Sequence, residues 1–298
     1  MTGLPRVDFY DFLSTQKKSL YLTHKCVHAY IKGANNLCYE NEEGVEQKIQ
    51  LDKKYLVNID GTSDGTQDKY FKDEIWYKPD YFGGEGYAEY LATLILQYSS
   101  LEETKYVQYE EIEINGKKGC CSKNFLSDSE EFISLYRLYQ MTTGENLAKK
   151  ISTLDLEKRP EFVLDFVKKQ TGVDLRTYFA NHFALDRIIL NEDRHFNNLG
   201  IIFDGENFKE APIFDNGHSF FVGSYSYNTN LPINENVKRV TAKPFSGSHD
   251  WNYRYFEKWC TIRLDKKGLL AALQKEPDSL AKKVVLYQLQ VLDIVENK

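Results

Sequence analysis

Asn191-Glu192-Asp193-Arg194-His195-Phe196-Asn197-Asn198 and Phe214-Asp215-Asn216-Gly217 bracket a segment in which the apolar runs 199–203 and 208–214 flank Asp204-Gly205-Glu206-Asn207. Apolar runs around such a turn cluster predict a β-hairpin. With its turn centred near 205–207, Asn198 and Asp215 face each other across the strands within about one pair. Their oxygens can then share one cation. Magnesium takes one or two carboxylates, keeps waters and completes its octahedron with substrate phosphates, which suits an Asp with an Asn carbonyl. Asn, Asp and His also enrich ordinary turns, so the specific signal is the combination of the two motifs.

Asp193 and Asn198 have the D-x-x-x-x-N separation of kinase catalytic loops, and Asp215-Asn216-Gly217 supplies the D-x-G that follows such loops. The expected chemistry is phosphoryl transfer. Asp193 accepts or orients the proton of the attacking hydroxyl. Asn198 and Asp215 hold Mg2+ on the phosphates, and His195 braces the loop by hydrogen bonds.

Outward from this site, the 298-residue chain is 42% hydrophobic and 28% charged, which excludes disorder as its main state. Its net charge of −6 shows no nucleic-acid footprint. No window approaches the roughly 18 apolar residues of a membrane span, and Arg6, Asp8 and Asp11 stand where a signal peptide needs an apolar core. Five cysteines without a CxxC suggest reduced thiols. A soluble, cytoplasmic chain is expected.

Residues 1–50 lack a sustained period and are read as an N-terminal extension. A small β-rich lobe is expected over 51–125, with strands at 54–59, 70–78, 106–114 and 118–122, the last two joined at Asn115-Gly116. Tyr87, Leu91, Leu94, Ile95 and Tyr98 mark an amphipathic helix between them. Residues 126–298 form a mainly helical lobe, with periodic stretches at 129–141, 161–170, 175–190 and 269–295. The fold class is α+β, two-lobed and protein-kinase-like. The polar run 223–250 is long enough to be a functional loop.

With its Asp193-Arg194-His195-x-x-Asn198 order, reversed relative to the His-Arg-Asp of ordinary protein kinases, the chain resembles the HipA-like serine/threonine kinases, distant relatives of the phosphatidylinositol kinases. The resemblance runs from about 60 to 221. It implies that Lys78, in Ile75-Trp76-Tyr77-Lys78-Pro79, contacts the nucleotide phosphates and that Glu89 is the acidic residue of the next helix. It also implies that the hinge Cys120-Cys121-Ser122-Lys123-Asn124-Phe125 meets adenine through Lys123 and Phe125. The glycine loop with Gly61 and Gly65 would cover the phosphates, although it is neither a Walker A nor a GxGxxG sequence.

Two readings of Glu89 stay open: a salt bridge with Lys78, or a solvated carboxylate, since helical phasing puts it about 160° from Leu91. Lys69 and Lys72 are alternative cations. The implied activity is ATP- and Mg2+-dependent transfer to Ser/Thr hydroxyls of a protein substrate, with autophosphorylation. A lipid or small-molecule kinase and a nucleotide-binding pseudokinase are the alternatives. His24, Cys26, His28 and Cys38 offer zinc-ligand types at a spacing that fits no standard template. His218 and Ser219 read as loop packing, and the lysines and arginines of 238–254 as a solvated surface. Thr62, Ser63, Thr66, Ser246 and Ser248 are candidate phosphorylation sites.

Overall fold

The strand carrying Lys78 gains its neighbours from local hairpins. A computed structural model describes residues 48–57 and 68–293. The 1–47 part of the proposed extension, the possible zinc ligands, Gly61, Gly65 and the hydroxyls of the glycine loop lie outside them. Among the described residues, β1 (Lys48–Ile49), β2 (Tyr70–Lys72), β3 (Ile75–Pro79), β4 (Tyr109–Ile114) and β5 (Lys117–Lys123) form one sheet in the order β1-β4-β5-β3-β2. Within this sheet of described residues, β1 and β4 pair in parallel and the other neighbours antiparallel.

The run 70–78 is two strands rather than one. Asp73 and Glu74 turn it at φ 52° and 59°, the left-handed pair that a two-residue hairpin needs. Neither residue is Gly or Asn, so the turn carried little sequence signal. Asn115-Gly116 makes the same kind of turn between β4 and β5 at φ 52° and 80°. The strand expected at 54–59 begins instead as a 3-10 turn at Lys53–Tyr55, followed by a single bridge from Leu56 to Tyr70.

Helix α1 (Glu85–Gln97) lies on β4 and β5 and also touches a helix of the second part of the chain. It is buried on most of its circumference, unlike the one-sided helix its period suggested. Asp80 starts it by accepting the N–H groups of Gly84 and Gly86 at 2.6 and 2.7 Å. The approach to the sheet is close. A Cβ on Gly86 would stand 2.4 Å from the carbonyl carbon of Gly119, and one on Gly119 would stand 2.3 Å from the carbonyl oxygen of Lys78.

A second sheet joins β6 (Glu131–Ser134), β7 (Gly200–Phe203) and β8 (Phe208–Glu210) in that order. Around it stand α2 (Leu135–Thr143), α3 (Leu147–Ser152), α4 (Lys158–Thr171), α5 (Arg176–Ile189), α6 (Ile233–Val237), α7 (His249–Phe256), α8 (Lys266–Lys275) and α9 (Leu280–Val291). The expected helix at 129–141 therefore starts late. Residues 131–134 pair with β7, and the Ser134 side chain caps α2 by accepting the Arg137 N–H. Of the one or two helices expected from 269 onward, the described residues form two, α8 and α9, parted at Glu276-Pro277-Asp278-Ser279, since proline cannot continue a helix.

The core of this part is aromatic. Phe179 and Phe183, one turn apart on α5, contact Phe245 and Phe256 at ring separations of 5.3 to 5.9 Å. Gln288 of α9 donates to the Arg187 carbonyl at the end of α5.

The Gly86 contact is backbone against backbone, which no rotamer change relieves. Gly86→Ala is expected to lower stability by about 1–3 kcal/mol in a urea melt, the usual cost of overpacking. Gly247→Ala, where a Cβ meets open space, is the control and should stay within about 0.5 kcal/mol.

Candidate active site

Lys78 projects from β3 beneath α1, where the Gly86–Gly119 contact brings the helix within reach. Its Nζ donates to Glu89 Oε1 at 2.9 Å, to Asp215 Oδ1 at 3.0 Å and to the Tyr109 hydroxyl at 3.4 Å. Glu89 is 1% exposed, and its other oxygen accepts the Asn216 N–H at 2.8 Å. The solvated reading of Glu89 is thus overturned by packing on two sides of α1. Burial works against the charge on Lys78, but Asp215 and Glu89 outweigh it and hold the ammonium protonated far above the usual lysine range. Burial likewise opposes ionised Asp215, yet Lys78, with help from Lys69 and Arg194, keeps its carboxyl well below the ordinary range. Burial pushes Glu89 upward. Lys72 pairs with Asp73 instead.

Asp215 does not arrive by a long hairpin. β7 and β8 pair Ile201 with Glu210 and Phe203 with Phe208, and the Ala211 N–H to the Gly200 carbonyl closes the ladder. The backbone of Ile213 then turns to residues 105–107: its N–H donates to the Lys105 carbonyl, and its carbonyl accepts the Val107 N–H, both at 2.8 Å. Asn198 and Asp215 are therefore not a cross-strand pair. The bridge between 105–107 and Ile213 delivers Asp215 to Lys78 and Tyr109, whose hydroxyl accepts the Asp215 N–H at 3.4 Å. Asp215 sits at φ 60°, an uncommon conformation for a non-glycine residue.

The turn 191–198 hangs from Arg194. This side chain is 0% exposed and forks onto Asp186 of α5 through Nε and Nη2, at 2.9 to 3.2 Å. Its Nη1 donates to the Phe214 carbonyl at 2.6 Å, and Nη2 also donates to Asn216 Oδ1 at 2.5 Å. Arg194 thus ties the Asp193 turn to both neighbours of Asp215. Asn198 is buried and donates through Nδ2 to the Asp193 carbonyl at 3.1 Å, an orientation that leaves the opposite, oxygen side of its amide for a cation.

His195 acts on the loop through its backbone: its N–H donates to the Asp193 carbonyl and its carbonyl accepts the Asn198 N–H. Its ring is farther away, with Nε2 3.6 Å from Asp193 Oδ2. Asp193 Oδ1 accepts from Lys243 Nζ at 2.8 Å. Lys243, expected on a solvated surface, is thereby joined to the Asp193 turn.

Lys123 ends β5 exposed, while Phe125 packs against Phe214 and Phe132 at ring separations of 5.6 and 6.1 Å. Phe125 thus supports the residue preceding Asp215. His218 meets Phe82 edge-on, and Ser219 is fully buried. Ser248 caps α7, and Ser246 accepts the Ser248 N–H. No helix among the described residues is long and apolar enough to cross a membrane.

No protein-family model and no curated protein matches this chain. Among solved structures, the Helicobacter pylori proinflammatory kinase CtkA is similar, with a TM-score of 0.55 at 13% identity, over 83% of this chain and 93% of that one. The fold is kinase-like. In this kinase-like frame the sequence motifs converge through Lys78 and Arg194. Arg194 belongs to the quoted Asp193-Arg194-His195 order but carries no role in the sequence reading, since nothing within the polar run 191–195 marks it as fully buried.

Arg194→Met leaves Asp186 buried without its cation. It should cost about 3–5 kcal/mol of unfolding free energy by denaturant titration, and Asp186→Asn in the same chain should recover part of that loss.

Proposed function

We propose that this chain is a two-lobed, HipA-like protein kinase that transfers the γ-phosphate of ATP to Ser or Thr hydroxyls with Mg2+, autophosphorylates, and acts in the cytoplasm. The observation that carries this reading is the Lys78 ammonium bonded at once to Glu89 and Asp215. A kinase-like fold supports it. So do the buried thiols Cys120 and Cys260, as expected in a reducing compartment.

The donor set fits magnesium. Among the described residues no three His, Cys, Asp or Glu side chains gather into a metal cage. Asp215, kept ionised by Lys78, and the Asn198 carbonyl oxygen are the two hard oxygen ligands, a small protein share that magnesium accepts when phosphates complete its sphere. When bound, the ion would neutralise phosphate charge. Lys78 would hold phosphate oxygens, with Glu89 keeping its ammonium in place. Asp193 would take the acceptor proton, Lys123 and Phe125 would border adenine, and Gly61 and Gly65 would cover the phosphates. His195 would shape the turn that carries Asp193.

Incubation with labelled ATP, magnesium and generic protein acceptors should label the acceptor or the chain itself. Asp193→Asn should lower kcat by about 10²- to 10⁴-fold with the melting temperature unchanged. Full turnover by that variant would overturn the mechanism. Asp215→Asn should lose magnesium-dependent binding of a non-hydrolysable ATP analogue in calorimetry while remaining folded.

A further inference from the structure

We propose that Lys243 is a positioning residue for phosphoryl transfer, fixing one oxygen of Asp193 so that the other is the proton acceptor. The inference rests on the kinase reading of the same site.

The ion pair differs in kind from the structural one at Arg194. Lys243 and Asp193 are 49% and 34% exposed at their side chains, and a surface pair of this type contributes little to stability, about 0–1 kcal/mol. Its frame, however, is built. The Lys243 carbonyl accepts from Nδ2 of Asn252, a residue 1% exposed on α7, which also donates to the Ser246 carbonyl. The Ala242 N–H closes the same loop onto the Gly247 carbonyl at 3.0 Å. Arg159 of α4 holds the Phe245 carbonyl at 2.8 Å.

That loop is joined to the catalytic turn at a second place. The Phe245 ring, fully buried, lies 5.8 Å from Phe196, three residues beyond Asp193. A flexible lysine on such a frame is held in register with the turn rather than drifting in solvent.

The atoms divide the work. Oδ1 of Asp193 accepts from Lys243, whereas Oδ2 has His195 Nε2 at 3.6 Å, too long for a hydrogen bond. In the transfer, the acceptor oxygen forms a bond to the γ-phosphorus as the bond from that phosphorus to the β,γ-bridging oxygen breaks. ADP leaves with the electron pair, and the hydroxyl proton passes to Oδ2. The Lys243 ammonium donates to Oδ1, which fixes the rotation of the carboxylate and so the direction of Oδ2. The D-x-x-x-x-N turn contains no lysine of its own, so this cation is supplied from a loop 50 residues away in sequence.

Steady-state kinetics of Lys243→Met and Lys243→Arg test this. Lys243→Met should lower kcat by about 10²-fold, the lower end of what the general base it positions contributes. KM for ATP and the melting temperature should stay as in the wild type, and Lys243→Arg should restore most of kcat. Wild-type kcat in Lys243→Met, or a loss seen only in stability or in KM, overturns the role of Lys243 and leaves the kinase reading standing. A wild-type chain with no ATP turnover overturns both.

Discussion

A lysine taken out of water needs compensating charge, and the way Lys78 obtains it organises the site. The Lys78 ammonium sits between a helix carboxylate, Glu89, and the carboxylate of Asp215, with Tyr109 as a neutral third partner. Breaking a buried pair costs far more than an exposed one contributes, so sheet, α1 and the 214–216 segment are held in one arrangement. Two carboxylates around one ammonium, with Lys69 also acting on Asp215, keep the ammonium and the Asp215 carboxylate charged against the cost of burial.

Arg194 is the second anchor, and the two anchors meet at the same three residues. Phe214 and Asn216 bond Arg194 through a carbonyl and a side-chain oxygen, while Asp215 between them bonds Lys78. The Asn216 N–H is also spent on Glu89. Asp215 can hold a left-handed backbone because its neighbours are fixed on both sides; such strain persists where the surroundings over-determine it.

What the sequence made legible follows from distance along the chain. The Asn115-Gly116 hairpin, α4, α5 and the D-x-x-x-x-N turn are local, and local pattern found them. Glu89 was ambiguous because helical phase assumes one packed face, while α1 is covered by the sheet and by α5. The approach of Asn198 to Asp215 was read from hairpin register, but Ile213 gives its backbone to residues 105–107, a pairing across about a hundred positions that no local period encodes. Residues 131–134 looked helical for the same reason: their period was short, and β7 offered an edge. The partners of Asp193 and Asp186, namely Lys243 and Arg194, are chosen by tertiary packing.

The aromatic content, 21 Tyr and 18 Phe, supplies what the polar groups alone could not. Charged side chains define directions, yet a catalytic arrangement needs its backbones held within a fraction of an ångström. Below the Asp193 turn, Phe196 joins Phe245, which joins Phe179, Phe183 and Phe256 from α5 and α7. Beside Asp215, Phe214 closes a triangle with Phe125 and Phe132. Large rings fill space with few rotatable bonds, so each cluster fixes a backbone at low entropic cost. One cluster thus sets the turn that bears Asp193 against the loop that bears Lys243, and the other sets the metal-ligand candidate Asp215 against the end of β5. Polar precision at this site is the consequence of apolar rigidity on either side of it.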